Sequence, residues 1–428
     1  MKRGTTPRTA DNATQCSAAR RHLDSAHGVG AEGAGLEPEP VVSRSQRMSA
    51  VHLTSRFHPP RSERRTELAR NPWLWTNRYG VGTVGLDGGR VDTRRVTDAG
   101  AVLCCPDKFR GSLTAGEAAD ALAAGVERVG RPAVRLPLAD GGEGTLDVLC
   151  PLPGARRVAR VSGPLGEPVE AEWGLRGDTA VIEMARASGL ALGAGRNDPL
   201  RATTRGTGEL LRAALDAGLR RAIVAVGGSA TTDGGLGALE ALDFDLRGAD
   251  VVVACDVTTT FVDAARVFGP QKGAGPDDVA ELEGRLERLA DRYRDARGID
   301  VRDLPGAGAA GGLAGGLAAY GARLVPGAAL VAGVVGLRPA LAAASLVLTG
   351  EGRLDATSFA GKVVGHVLDE ARALGVPAGI VAGDAERGVT PEGIPCLTLV
   401  ELGGSLERAL ADAAHLAADA AAALSRTV

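Results

Sequence analysis

Residues 222–242 place a glycine-rich loop between a short apolar run and a helix-like pattern. The loop reads GGSATTDGG and contains one carboxylate, Asp233. Glycine lets successive backbone N–H groups turn toward an anion, and the N-terminus of a following helix adds partial positive charge. The loop therefore predicts a phosphate cradle, in which Asp233 holds a metal ion or accepts a proton. An ordinary tight turn is the alternative, because the chain has 61 glycines.

Other glycine-rich turns follow predicted strands or precede predicted helices, and each contains an Asp, Glu or Lys. They are PDKFRGS (106–112), ADGGEGT (139–145), GPQKGAG (269–275) and TGEGRLD (349–355). Ligands of open α/β sheets bind at the carboxyl ends of the strands. Any one of these turns could be purely structural, but together with GGSATTDGG they favour a shared site.

Lysine is scarce in this chain. Of 49 Lys and Arg residues only four are lysine, and three of these, Lys108, Lys272 and Lys362, lie in or beside glycine turns. A compact ammonium can approach a single phosphoryl oxygen in a narrow pocket, where a guanidinium fork does not fit. The three lysines are therefore candidate phosphate ligands, with coincidence as the alternative.

Several familiar catalytic motifs are missing from the sequence. No GxxxxGK[ST] motif occurs, which excludes a P-loop. His366 and His415 are the only histidines after residue 100, and neither belongs to a Ser/His/Asp arrangement, so triad hydrolysis is disfavoured. After residue 100 the one GxGxxG match, at 306–311, follows VRDLP rather than a strand and fails the context required for dinucleotide binding.

The elements that would position these residues alternate between strand and helix from residue 101 onward, which predicts an α/β fold. Thr114 and Glu117 form a capping box before an amphipathic helix. Residues 168–185 alternate around a turn and predict an antiparallel hairpin. Further helices are predicted to open at Thr207 and Ser405. The predicted strands are AVLCCP (101–106), RLPLA (135–139), VVVACD (251–256), SLVLTG (345–350), AGIVAG (378–383) and CLTLV (396–400).

Composition indicates a globular protein of 428 residues with a net charge of −3, in which the first hundred residues are basic and the remainder acidic. The acidic remainder argues against nucleic acid as a partner. Apolar runs are too short to span a membrane, and no signal peptide is predicted. Six cysteines without a CxxC motif indicate reduced thiols and a cytoplasmic protein. Residues 1–100 are predicted to be disordered or to result from an upstream start-site assignment.

Taken in order, these motifs resemble the bacterial glycerate kinase family of the glyoxylate and glucarate pathways. The resemblance runs from about residue 102 to the end, through blocks that include PDKFRGSLTA, LPLADGGEGT, VGGSATTDGG, VFGPQKGA and TGEGRLDATSFAGK. It implies two α/β domains, one inserted into the other: a Rossmann- or flavodoxin-like parallel sheet and a smaller mixed α/β domain. The expected ranges are 101–165 together with 305–428 for the first domain and 166–304 for the inserted one.

The resemblance also implies an activity, namely phosphorylation of D-glycerate by ATP and Mg²⁺ to give 2-phosphoglycerate. Which hydroxyl reacts and whether the protein is a homo-oligomer remain open. Two alternatives are a kinase for another small hydroxy acid and a non-catalytic sensor of glycerate or nucleotide. The residues implied are Asp140, Asp233, Lys272 and Lys362 for catalysis; Gly227, Gly228, Ser229, Ala230, Thr231, Gly234 and Gly235 for ATP; Lys108, Arg110, Ser112 and Asp355 for substrate; and Asp256 for metal.

The chain departs from the family pattern in three ways. Lys108-Phe109-Arg110 stands where members often have Ser-Phe-Lys, and Thr232 stands where Asn is common. The stretch 239–257 lacks a long segment that members usually carry between the helix and the VVACD strand. A shortened edge of this kind could lower the activity or change the substrate.

Overall fold

The strands of this chain pair into two sheets, and this decides where a ligand can bind. A computed structural model describes residues 100–193 and 195–427, and over these residues one sheet has five strands and the other six. In chain order the strands are β1 (Ala101–Pro106), β2 (Ala133–Arg135), β3 (Arg156–Ser162), β4 (Pro168–Arg176), β5 (Thr179–Glu183), β6 (Arg221–Ala225), β7 (Asp250–Ala254), β8 (Arg323–Val325), β9 (Ala344–Leu354), β10 (Ala378–Ala385) and β11 (Cys396–Thr398).

Helices connect most of these strands, as the alternating pattern predicts. In chain order they are α1 (Ala115–Arg128), α2 (Thr145–Leu149), α3 (Ala185–Ser188), α4 (Arg205–Asp216), α5 (Leu236–Ala241), α6 (Asp263–Phe268), α7 (Pro276–Arg297), α8 (Leu313–Ala319), α9 (Gly327–Val335), α10 (Leu337–Ala342), α11 (Val363–Leu374), α12 (Leu399–Gly403), α13 (Leu406–Ala411) and α14 (Ala413–Thr427). Short 3₁₀ helices occur at Pro153–Ala155, Leu190–Gly193, Pro270–Lys272 and Ala356–Phe359.

The first sheet is parallel throughout, with the order β11-β10-β9-β1-β2. Every residue of β1 is buried, as expected for an apolar strand with helices on both faces. Helix α1 begins at the predicted capping box, where Thr114 Oγ1 accepts a hydrogen bond from the Glu117 amide at 3.2 Å. The predicted α/β fold with a Rossmann- or flavodoxin-like parallel sheet is confirmed.

The second sheet is mixed and has the order β3-β4-β5-β6-β7-β8. β3, β4 and β5 are antiparallel, and the remaining pairs are parallel. The predicted hairpin is confirmed, with Gly177 and Asp178 as its two-residue turn. β3 was not predicted, because RRVARVS carries three arginines on an edge strand and gives no apolar signal.

A shared apolar core joins the two sheets. It contains Leu103 and Val347 from the parallel sheet, Val181 and Ile223 from the mixed sheet, and residues of α2, α9, α10 and α11 between them. The two sheets therefore enclose a common helical layer. Other apolar clusters cover their outer faces, with α1 and α14 on the parallel sheet and α4, α5, α7 and α8 on the mixed sheet.

Some predicted boundaries differ from the structure. RLPLA contributes only Arg135 to a strand, since β2 ends there and the chain continues as a loop. Helix α4 begins at Arg205, before Thr207. Ser405 caps the short helix α13, and the C-terminal helix is the separate α14. The mixed sheet extends over 156–325, wider than 166–304, and the division into domains stays a prediction.

Two further observations concern the apolarity of the helices and the state of the cysteines. None of the helices in the described part of the chain is long and apolar enough to cross a membrane. Cysteines 104, 105, 150, 255 and 396 are free thiols. Burial raises the pKa of the Cys105 thiol well above its ordinary value, and such a thiol is unreactive. The prediction for residues 1–100 lies outside the described residues except at Gly100.

Candidate active site

The turn at 139–145 lies where the two sheets meet, because it leaves the parallel sheet and contacts strand ends of the mixed sheet. The Gly227 amide, just after β6, donates to the Gly141 carbonyl at 3.2 Å. A Cβ on Gly227 would lie 2.4 Å from the Gly142 Cα, and one on Gly141 would lie 2.8 Å from the Ala254 carbonyl oxygen at the end of β7. Glycine is needed at these positions because two backbones touch there.

Lys108 extends from the end of β1 into this junction, between carboxylates of both loops. Its Nζ lies 3.7 Å from Asp107 Oδ1 and 3.9 Å from Asp140 Oδ1. Burial opposes the charge on the ammonium, but Asp107, Asp140, Glu143 and Glu183 outweigh it and raise the pKa of Lys108. The lysine is therefore held as a cation at this junction.

Two carboxyl groups on which the Asp140 charge acts each have one oxygen without a partner in the described part of the chain. Asp256, after β7, accepts from the Gly327 amide at 2.7 Å through Oδ1, while its buried Oδ2 has no partner in the described part of the chain. Glu351 Oε1, in β9, is likewise buried and without a partner there. Burial, with the Asp140 charge, raises the pKa of Asp256 to about 7, and burial also raises the pKa of Glu351. Such carboxyl groups are suited to receive a cation or a proton.

The tip of the GGSATTDGG loop faces the same junction. Gly228 is exposed with φ +76°, and Gly227 and Ser229 are half-buried. A Cβ on Gly228 would lie 2.7 Å from Glu143 Oε1, which places the tip against the 139–145 turn. Within residues 100–193 and 195–427, the amides of Gly228 and Ser229 donate to no acceptor. These amides can bind an anion.

The rest of that loop is buried behind the tip. Ala230, Thr231 and Thr232 are buried, and the carboxylate of Asp233 is enclosed by donors from its surroundings. The Asp233 oxygens accept from the Thr204 amide at 2.7 Å, from the Thr204 hydroxyl at 2.9 Å, and from Thr203, Gly235 and Gly237. Burial raises the pKa of Asp233 in spite of these bonds. The structure thus leaves Asp233 half-buried, with both carboxylate oxygens bonded to groups of the protein.

Lys272 lies in the interior of the protein, against the buried part of the GGSATTDGG loop. Only 2% of it is exposed, and its Nζ donates to the Thr231 carbonyl at 2.6 Å. Burial lowers the pKa of Lys272 to about 7. Asp140, Lys108, Asp256 and Glu351 share the junction, whereas Asp233 and Lys272 support the loop from behind.

The remaining predicted residues lie either close to Glu351 or in the lining of a cleft that Lys108 also lines. Lys362 Nζ donates to Thr357 Oγ1 at 2.9 Å, and its charge acts on Glu351. Asp355 caps the adjacent 3₁₀ helix by accepting from the Thr357 amide at 2.7 Å. A cleft of about 1110 Å³ is lined by residues that include Lys108, Arg110, Ser112, Glu143, Gly144 and Glu183.

Four acidic residues that contribute charge here were not among the predicted site residues. They are Asp107, Glu143, Glu183 and Glu351. Three of them, Asp107, Glu143 and Glu351, lie inside the glycine-rich turns described above. The turns could therefore be found from the sequence, but nothing in the sequence marked these individual residues as part of the site. Glu183 is 2% exposed and ends β5, where it accepts from the Gly144 amide at 3.1 Å and the Leu146 amide at 3.0 Å.

Comparison with known proteins shows a common ancestry over most of the chain. The sequence profile of the glycerate kinase family matches residues 102–250 and 243–428. The two parts meet where the sequence analysis expects a shortened segment.

Individual relatives agree with this match. The glycerate 2-kinase of Escherichia coli K12 is 41% identical over 322 residues, covering 66% of this chain and 84% of the relative. The glycerate kinase of Bacillus subtilis 168 is 41% identical, covering 67% and 85%. A crystal structure from Salmonella typhimurium LT2, provisionally assigned as glycerate kinase 2, has a TM-score of 0.66 at 36% identity and covers 77% of this chain and 98% of its own. The chain belongs to the glycerate kinase family.

Proposed function

We propose that this chain is an ATP-dependent glycerate kinase, which transfers the γ-phosphoryl group of ATP to a hydroxyl of D-glycerate and releases ADP. The meeting of turns from both sheets around Lys108, beside the unpaired amides of Gly228 and Ser229, carries this proposal. Phosphoryl transfer requires positioning and charge neutralisation more than covalent chemistry from the protein. The relative named glycerate 2-kinase supports the 2-hydroxyl as the acceptor and 2-phosphoglycerate as the product.

In this proposal the GGSATTDGG loop (227–235) binds ATP, and its two parts have different roles. Gly228 and Ser229 contact the phosphates through their backbone amides, because this part of the loop is accessible. Gly227 approaches the phosphates closely without offering its amide, which is bonded to the Gly141 carbonyl. The buried part does not touch ATP and gives the tip its shape. Its members in the predicted set are Ala230, Thr231, Gly234 and Gly235.

D-Glycerate would lie in the cleft on the other side of Lys108. Lys108 and Arg110 would hold its carboxylate, since both of these cations line the cleft. Ser112 stands on the same turn, where its hydroxyl donates to the Phe109 carbonyl at 3.2 Å. Lys362 would neutralise charge on the transferring group, and Asp355 would hold the 3₁₀ helix that Lys362 contacts.

Asp140 is the proposed general base. It accepts one hydrogen bond in the described residues, from the Gly142 amide at 3.1 Å, and lies beside the Lys108 ammonium. A general base must reach the substrate hydroxyl and keep a free oxygen for the proton. Asp140 at the cleft junction meets both conditions better than Asp233, whose oxygens accept several internal bonds.

The residues present fit a magnesium ion. Asp256 and Glu351 each have a buried carboxylate oxygen without a partner in the described ranges, and Mg²⁺ prefers oxygen ligands. No group of three acidic, His or Cys side chains in those ranges could hold a metal alone, which suits an ion held by one or two carboxylates and by substrate phosphates. When bound, the ion would neutralise charge on the β- and γ-phosphates of ATP.

An assay of the full-length chain with ATP, Mg²⁺ and D-glycerate tests the proposal. We expect ADP formation that depends on glycerate, and a kcat about 10²- to 10³-fold lower in Lys108→Ala and Asp140→Asn, because each removes a charge or base from the reacting centre. Asp120→Asn, which changes an exposed carboxylate on α1, is the matched control and should act like the wild type.

The outcomes separate the proposal from its alternatives. Turnover of a different hydroxy acid in a substrate panel, with none of glycerate, would assign another kinase. Binding of glycerate or nucleotide by calorimetry without ADP formation would indicate a sensor. Variants of Lys108 and Asp140 that keep wild-type kcat would remove the site assignment.

A further inference from the structure

We infer that Tyr293 and Lys272 are positioning residues that hold the ATP-binding loop from behind through its backbone carbonyls. This inference rests on the proposed function. It assigns a role to Tyr293, which no sequence motif marks, and it gives Lys272 a role that does not require contact with ATP. Both residues come from the segment formed by α6, the 3₁₀ helix Pro270–Lys272 and α7.

The two side chains reach two carbonyls of the buried part of the loop. Tyr293 Oη donates to the Gly234 carbonyl at 3.0 Å, and Lys272 Nζ donates to the Thr231 carbonyl at 2.6 Å. Both donors are buried, with Tyr293 at 0% and Lys272 at 2% exposed. Neither can therefore contact a ligand in the cleft without a rearrangement of the loop.

The ring of Tyr293 is fixed by aromatic neighbours on two sides. The ring centroid of Tyr293 lies 6.1 Å from that of Phe261 and 6.0 Å from that of Tyr320, and both pairs have an edge-to-face arrangement. Phe261 in turn packs on glycine faces, since a Cβ on Gly315 would lie 2.4 Å from its ring and one on Gly234 would lie 3.1 Å away. A ring held in this way has one direction in which its hydroxyl can donate.

The hydrogen bonds to the Thr231 and Gly234 carbonyls fix the conformation of the buried part of the loop, which follows the tip. A peptide group is planar, so the two fixed carbonyls also fix the amides of Thr232 and Gly235 in the buried part of the loop, on which the tip rests. Asn197 adds a third restraint, because its Nδ2 donates to the Ala230 carbonyl at 3.0 Å and to the Lys272 carbonyl at 2.9 Å. Loss of one donor would leave a buried carbonyl unpaired and would loosen the buried part of the loop, which supports the tip amides of Gly228 and Ser229.

The test compares Tyr293→Phe, which removes only the hydroxyl, with Tyr320→Phe in the same aromatic cluster. Within the described residues the Tyr320 hydroxyl makes no hydrogen bond, so Tyr320→Phe is the matched control. We expect Tyr293→Phe to raise the Kd for ATP by about tenfold, measured by calorimetry, and to raise the KM for ATP while the KM for D-glycerate stays unchanged. Lys272→Met should likewise raise the Kd and KM for ATP, leave the KM for D-glycerate unchanged, and keep most of the kcat.

Each outcome either supports the inference or overturns it. An ATP affinity of Tyr293→Phe equal to that of Tyr320→Phe and wild type would overturn the role of Tyr293. An equal rise in both KM values would indicate a general structural role and would also overturn it. Loss of kcat in Lys272→Met with unchanged ATP affinity would make Lys272 catalytic instead. A wild type that binds ATP without phosphorylating glycerate would refute only the proposed function, whereas one that binds no nucleotide would refute both.

Discussion

At the scale of single residues, burial separates side chains that look equivalent in the sequence. Asp140 and Asp233 both follow strands and precede glycines, yet Asp140 lies beside the cleft while Asp233 is enclosed by amides and hydroxyls. Two of the lysines differ in the same way. Lys108 is held charged by surrounding carboxylates, and Lys272 is buried against a carbonyl. Residue type predicted the chemistry available, and packing decides which group reaches a substrate.

The burial of Lys272 makes a prediction about stability and pH. Burial lowers the pKa of Lys272 to about 7 from an ordinary 10.5, and Asp233 opposes this shift. Between these values the unfolded chain binds the proton more, so the free energy of unfolding rises with pH. We expect the wild type to gain on the order of 2 kcal/mol relative to Lys272→Met between pH of about 7 and about 9.5, measured by urea unfolding. Parallel pH profiles of the two proteins would contradict this.

At the scale of elements, the glycine turns act as contact points between backbones. Gly227 shows this most directly because its φ is ordinary, so alanine is disfavoured there only by the neighbouring chain at Gly142. A Cβ at this position would separate the 139–145 turn from the loop tip. The turns are therefore required for the approach of the two sheets as well as for amides that bind phosphate.

We expect Gly227→Ala to lower kcat/KM by about 10²-fold, because a displacement of about 1 Å at a reacting centre has an effect of this size. The matched control is Gly333→Ala in α9, where a Cβ would meet open space. That control should keep its activity and unfold at the same or a higher temperature, since alanine is favoured over glycine inside helices. Equal activity of the two variants would show that the contact at Gly142 is not needed.

The sequence predicted elements best where the local signal was strong. β1, the 168–185 hairpin and the capping box at Thr114 follow from apolar runs, turn residues and cap spacing. β3 could not be predicted, because an edge strand rich in arginine has no apolar pattern. The role of Tyr293 could not be predicted either, because its hydrogen bond to Gly234 joins residues that are 59 positions apart. Such contacts depend on tertiary packing, which local patterns do not encode.

At the scale of the whole molecule, the shared core fixes the two sheets relative to each other. Apolar side chains of both sheets pack on the same layer formed by α2, α9, α10 and α11. Arg176, on the hairpin of the mixed sheet, adds polar links by donating to the Leu149 carbonyl at 2.8 Å and the Val334 carbonyl at 3.2 Å. The cleft beside Lys108 is thus built by the fold and not by a single loop.

The central claim is that ATP and glycerate meet at the junction of the 139–145 turn, Lys108 and the loop tip. A crystal structure of the full-length chain with a non-hydrolysable ATP analogue, Mg²⁺ and D-glycerate measures this directly. We predict the terminal phosphates within hydrogen-bonding distance of the Gly228 and Ser229 amides, with the glycerate carboxylate against Lys108. A nucleotide bound on another face, with these amides and Lys108 free of ligand, would contradict the account.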